Sequence, residues 1–217
     1  MSYLDATNDL YKDAALTPNV GLCCTTNPIW ELPGLKIPLI MQRMNYGCGS
    51  TVHARDLTNN PKILYVGAGG GMELLQFAYF SRQENGVIGI DVVDEMLEAS
   101  RKNFIEAETQ NNWFKSSFVD LRKGDALNLP VEDNTIDVAA QNCLFNIFKE
   151  NDLEKAIHEM YRVLKPGGHF SISDVVLVGA LPEGLRKDAE MYAGCVSGAI
   201  QKNVYMELIH ATGFENV

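Results

Sequence analysis

Positive charge is scarce in this chain: 18 Lys and Arg stand against 28 Asp and Glu in 217 residues, a formal net charge of -10. No run of Lys or Arg breaks that balance, so the basic stripe that grips a phosphate backbone is missing and no nucleic-acid partner is expected. Long apolar runs are missing too. Nothing approaches the roughly 18 consecutive apolar residues of a membrane span, so no membrane partner is expected. The first residues, MSYLDATNDLYKDAAL, carry acids rather than a basic region followed by an apolar one, so a signal peptide is not expected either. The expectation is a soluble, cytoplasmic protein.

Paired cysteine motifs are also lacking. The five cysteines stand at 23, 24, 48, 143 and 195, an odd and widely spaced set that argues against a disulfide framework. Zinc knuckles favour C-x-x-C spacing, and the only close pair here is the adjacent Cys23 and Cys24. The four histidines, His53, His158, His169 and His210, form no obvious catalytic His-acid pair and are expected on the surface or on helices.

What is present is a 46% hydrophobic composition, enough for one substantial core. Residues 1–60 lack a clear period: SYLDATNDLYKDAA suits a short amphipathic helix, and TPNVGLCCTTNPIWELPGLKIP, rich in proline, reads as an irregular arm or lid. From residue 61 to 217 the pattern is orderly. The segments KILYV, VIGID, SSFVDLRKG, TIDVAAQN and HFSISDVV read as strands. MELLQFAYFSRQ, VDEMLEASRKNFIEAETQ, DLEKAIHEMYRVL, LPEGLRKDAEMYAGC and NVYMELIHATG read as helices, with KPGG expected to close the third and turn the chain. Strands alternating with helices predict an α/β, doubly wound parallel sheet with a cysteine-containing N-terminal arm.

The first strand runs into GAGGG (67–71), where Gly67 and Gly69 leave room for a ligand beside bare N–H groups. A dinucleotide fingerprint needs a small residue at the sixth place, and here that place is Met72; no Lys-Ser or Lys-Thr pair follows, so a triphosphate loop is excluded as well. Asp91 ends the second strand, where a carboxylate can accept both hydroxyls of an adenosine ribose. GDALNLP offers Asp125 and the Ala126 amide beyond the third strand, where an adenine edge would lie. A nucleoside site without phosphate grips is the pocket expected for S-adenosylmethionine.

GAGGG, VIGID, GDALNLP and RVLKPGG, in this order, resemble class I S-adenosylmethionine-dependent methyltransferases with a Rossmann-like sheet. A narrower resemblance covers nearly the whole chain. GLCCTTNPIWELPGLKIP, MNYGCGS, AAQNCLFNIF and AGCVSGA are similar to the arsenite methyltransferases, and KILYVGAGGGMELLQFAYFSR to the branch assigned to arsenosugar biosynthesis. The resemblance implies that Cys143 and Cys195 hold trivalent arsenic, that Cys48 is a third thiol, and that Cys23 or Cys24 assists capture from a mobile arm. It implies arsenite or its thiol conjugates as substrate, and a thiol reductant such as thioredoxin or glutathione as partner. Soft trivalent arsenic favours thiolate sulfur, and its lone pair needs no general base. Asn142 is expected to face the cofactor, with Phe145 and Phe148 excluding water.

Two departures from that family pattern stand out. Tyr65 occupies a place where the class usually carries an acid, so one cofactor-side contact is lost or replaced. The chain also stops at GFENV, where the fold normally continues into a strand hairpin. The C-terminal part is therefore expected to be missing, leaving the fifth strand uncovered and the protein prone to association. The rival readings are a methyltransferase for a small organic acceptor, in which the cysteines are spare, and a non-catalytic metalloid-binding protein, which needs no adenosyl pocket.

Overall fold

The computed structural model describes residues 4–19, 31–182, 184 and 195–217. Cys23, Cys24 and most of the helix expected over 181–195 lie outside the described residues.

Five parallel strands, β1 (Ile63–Val66), β2 (Val87–Asp91), β3 (Val119–Lys123), β4 (Ile136–Asn142) and β5 (Leu164–Ser173), form one sheet in the order β3-β2-β1-β4-β5. Helix α1 (Asp5–Leu16) and the short α2 (Leu39–Arg43) precede the sheet. Between the strands and after them come α3 (Met72–Ser81), α4 (Asp94–Gln110), α5 (Glu150–Val163) and α6 (Lys202–Thr212).

The sheet is sandwiched because its strands are apolar on both faces. All four residues of β1 are buried, with Leu64 and Val66 joining Ile157 and Met160 of α5 on one side. Ile63 and Tyr65 join Leu74, Phe77 and Phe104, from α3 and α4, on the other. Helix α5 shows how the sequence dictates this. Leu153, Ala156, Ile157, Met160 and Val163 recur at helical spacing and are all buried, while Glu150 and Asp152 face the positive end of the helix dipole.

The KPGG segment departs from expectation. Helix α5 does stop at Val163, but residues 165–168 lie within β5 instead of forming a separate turn. Ile136 pairs with Leu164 and Val138 with His169, so KPGG is absorbed as a bulge between those pairs. A proline cannot donate to the sheet ladder, and β5 is an edge strand, where that deficit is tolerated.

The strand order reverses between β1 and β4. In such sheets the crevice at the carboxyl ends of the strands flanking the reversal is where ligands bind. The loop after β1 carries the glycine cluster, and the residue after β4 is Cys143.

Candidate active site

The glycine cluster turns sharply because its backbone enters the left-handed region, with φ of 87° at Gly67, 52° at Gly69 and 86° at Gly71, the last capping α3. A Cβ on Gly69 would meet nothing closer than the Gly67 carbonyl at 3.9 Å, so the wall there is open to a ligand. At Gly71 the space is already taken: a Cβ would stand 2.9 Å from the Phe104 ring.

Around this turn lies a cavity open on one side to solvent. Its floor is Gly67 to Gly70, its sides are Asp91 to Val93 and Asn142 to Leu144, and Tyr11, Met44 and Tyr46 from the N-terminal segment close over it. The segment before residue 60 is therefore part of the site. Tyr11 and Tyr46 pack edge to face, and the Tyr46 hydroxyl donates to the Ala14 carbonyl at 3.1 Å, tying α1 down.

Asp91 sits where expected. Its carboxylate accepts the N–H of Gly69 at 3.2 Å and of Val93 at 3.0 Å, and burial pushes its pKa up to about 6. Asp125 and Ala126 do not join it in the cavity wall. Asp125 is exposed and accepts the N–H of Leu127 at 2.9 Å, while Ala126 is buried in the apolar core. The water-excluding role expected of Phe145 and Phe148 is also corrected. Both pack into the core, Phe145 also against Phe170, and it is Leu144 and Ile147 that line the cavity.

Asn142 lines the cavity, but its amide is committed to the protein. It accepts the Cys48 N–H at 2.9 Å and donates to the Gly49 carbonyl at 3.1 Å and to Glu73 at 3.0 Å. These bonds hold the 48–49 loop against the end of β4.

Two of the three expected thiols converge. Cys48, Cys143 and Asp174 present ligand atoms that all lie within 4.8 Å of one another. Cys143 is 3% exposed, lines the cavity, and has a left-handed backbone at φ 56°. Such a conformation in a non-glycine residue is costly and is held here by its N–H bond to the Ser173 carbonyl at 2.7 Å. Cys48 reaches the same carbonyl through sulfur at 3.7 Å. Cys195 stands outside that trio, with its sulfur 2.7 Å from the Cys143 carbonyl oxygen and its own φ at 62°.

Asp174 and Glu73 were not singled out by the sequence pattern. Asp174 accepts the Tyr205 hydroxyl at 2.7 Å and the Gln141 amide at 2.6 Å, both on Oδ2, whereas Oδ1 is buried with no hydrogen-bond partner among the described residues. Burial raises its pKa to about 7. Two sulfurs and one oxygen suit a thiophilic ion or metalloid. Glu73, in the first turn of α3, accepts the Tyr65 hydroxyl, which fills the gap left by the acid absent at Tyr65. Burial, and then the Glu73 charge, push the Tyr65 pKa well above its usual value. An acid in second place in the mostly apolar run MELLQFAYF was the available signal for Glu73. All four histidines are exposed, as expected. Among the described residues, no helix is long and apolar enough to cross a membrane.

A methyltransferase-domain family model matches residues 57–213. The chain is 30% identical over 174 residues to an arsenite methyltransferase of Halobacterium salinarum, covering 80% of this chain and 42% of that one. It is 30% identical over 199 residues to an arsenite methyltransferase of Aquipseudomonas alcaligenes, covering 88% and 55%. The fold superposes on the crystal structure of an arsenic(III) S-adenosylmethionine methyltransferase from Chlamydomonas reinhardtii with a TM-score of 0.72 at 25% identity, covering 83% of this chain and 60% of that one. The chain thus spans about half the length of the curated relatives it matches.

Proposed function

The chain belongs to the class I S-adenosylmethionine-dependent methyltransferases, and from that premise we propose that it methylates trivalent arsenic held by cysteine thiolates. The observation that carries this reading is the convergence of Cys48 and Cys143 beside Asp174, with Cys143 in the wall of the cofactor cavity. The arsenite methyltransferases among its relatives support the same substrate.

The cavity fits the cofactor. It offers an open glycine turn, a carboxylate at the end of β2 and, among the described residues, no lysine or arginine to grip a phosphate, as suits a nucleoside without phosphates. Gly67, Gly69 and Asp91 would hold it. When bound, S-adenosylmethionine supplies an electrophilic methyl group on a sulfonium.

The chain's own contribution is to hold the acceptor. The thiolates of Cys48 and Cys143 replace hydroxides on trivalent arsenic, each thiol proton leaving with the hydroxide as water. Arsenic keeps its lone pair, which is the nucleophile, so no side chain needs to remove a proton from it. Cys195, against the Cys143 carbonyl, is the proposed additional thiol. Asn142 fixes the 48–49 loop, and Leu144 and Ile147 keep the transfer side of the cavity apolar. A thiol reductant such as glutathione or thioredoxin is proposed to keep the cysteines reduced.

The test is incubation with arsenite, S-adenosylmethionine and a thiol reductant, followed by separation of arsenic species by mass. C143S abolishes methylated arsenic under this reading. If C143S formed methylated arsenic as fast as the wild type, Cys143 would not hold the arsenic; if the wild type formed none while binding S-adenosylmethionine, the acceptor would be a small organic molecule and the cysteines would be spare.

A further inference from the structure

Glu73 is a carboxylate only 4% exposed, in the wall of the cofactor cavity. Among the described residues its hydrogen-bond donors are all neutral. Oε1 accepts the Thr51 N–H at 3.1 Å and the Thr51 hydroxyl at 2.8 Å, and Oε2 accepts the Tyr65 hydroxyl and the Asn142 amide at 3.0 Å. Among the described residues no lysine, arginine or histidine lines the cavity; the other acid in its wall is Asp91. Neutral donors solvate a buried carboxylate but leave its charge unbalanced, and an unbalanced buried charge favours a ligand that brings the opposite sign.

The position of Glu73 says which part of the ligand that is. Asn142 joins Glu73 to the Cys48 N–H, and the next residue is Cys143, so the carboxylate stands on the thiol side of the cavity, where the methyl group must be delivered.

We propose that Glu73 is the counter-charge for the cofactor's sulfonium, a specificity-determining residue that makes the cavity prefer the charged methyl donor over its uncharged thioether product. When the methyl group leaves, the electron pair of the S–C bond stays on sulfur and the sulfonium charge disappears. The attraction to Glu73 disappears with it, which favours release of S-adenosylhomocysteine and entry of fresh donor. Tyr65 steadies the carboxylate from the strand position where the class usually carries an acid. The inference rests on the proposed function for the side on which the methyl group is delivered, but its test reads cofactor binding alone and so can fail while arsenic methylation stands.

The test is equilibrium binding to the full chain of three ligands: S-adenosylmethionine, sinefungin, whose amine carries a positive charge near the sulfonium position, and S-adenosylhomocysteine. The wild type is expected to bind the two charged ligands about tenfold more tightly than the product, as one partly screened charge pair allows. E73Q, which keeps the shape and removes the charge at the cost of the bond from the Asn142 amide, brings that ratio to about one with little change for the product. Y65F, which keeps the charge, leaves the ratio in place. An unchanged ratio in E73Q, or an equal loss for all three ligands, overturns the proposal. If E73Q does not fold, the wild-type ratio decides: equal affinities, or tighter product binding, overturn it.

Discussion

Replacing Asn142 with alanine should disable the thiol pair while leaving the sheet intact. The side chain makes three hydrogen bonds, to the Cys48 N–H, the Gly49 carbonyl and the Glu73 carboxylate. Removing it strands a partly buried donor and acceptor and takes one neutral donor from a charged group, about 1 kcal/mol each and about 3 kcal/mol together. Glu73 keeps its bonds from Thr51 and Tyr65, and Asn142 ends β4, so the loss falls on the 48–49 loop. If that loop is held chiefly by this amide, about 3 kcal/mol corresponds to about a hundredfold shift toward a displaced Cys48. Phenylarsine oxide, which needs two thiols at chelating distance, reads this directly. Titration monitored by the loss of free thiols should show binding weakened by about 10- to 100-fold in N142A. The urea midpoint should fall, and S-adenosylmethionine should still bind. Unchanged phenylarsine oxide affinity in a folded N142A protein would refute the reasoning, because the loop would then be placed by something other than Asn142.

Other perturbations follow from the same geometry. Asp91 titrates near pH 6 when folded and near 3.8 otherwise, so between those values the folded chain holds a proton that the unfolded chain has lost. Its contribution to stability therefore declines as pH rises through that window, while cofactor affinity, which needs an ionised acceptor for the ribose hydroxyls, rises. S-adenosylmethionine binding measured from pH 5 to 8 should tighten and then level off, and D91N should bind weakly with a flatter profile. G71A places a Cβ against Phe104 in a left-handed backbone and should cost about 2–4 kcal/mol in urea unfolding. C48S and C143S should each lose tight phenylarsine oxide binding and keep S-adenosylmethionine binding in calorimetry; loss of both would mean that the thiols serve the cofactor pocket instead.

Much of this architecture is legible in the residues because the strands and helices carry strong periods. The run from KILYV through GAGGG to the helix after it leaves little else for the chain to do, and Asp91 follows from its place at the end of β2. KPGG misleads because proline and glycine mark turns locally, whereas here an edge strand absorbs them as a bulge opposite Ile136 and Val138. Asp125 and Ala126 carry the right local pattern, but the fold turns one outward and the other into the core. The least legible feature is what each acid does. Nothing in SISD distinguishes Asp174 from a solvated strand end until β5 is laid beside Gln141 and α6 brings Tyr205 to it. Glu73 likewise becomes meaningful only once Thr51 and Asn142, 22 and 69 residues away, arrive at its oxygens.

The most direct test of the arsenic reading is speciation of arsenic after incubation of the full chain with arsenite, S-adenosylmethionine and a thiol reductant. Methylated arsenic formed by the wild type, matched by S-adenosylhomocysteine and absent in C143S, is the predicted result. A protein that binds S-adenosylmethionine and phenylarsine oxide with its thiols reduced, yet yields no methylated arsenic, would contradict it.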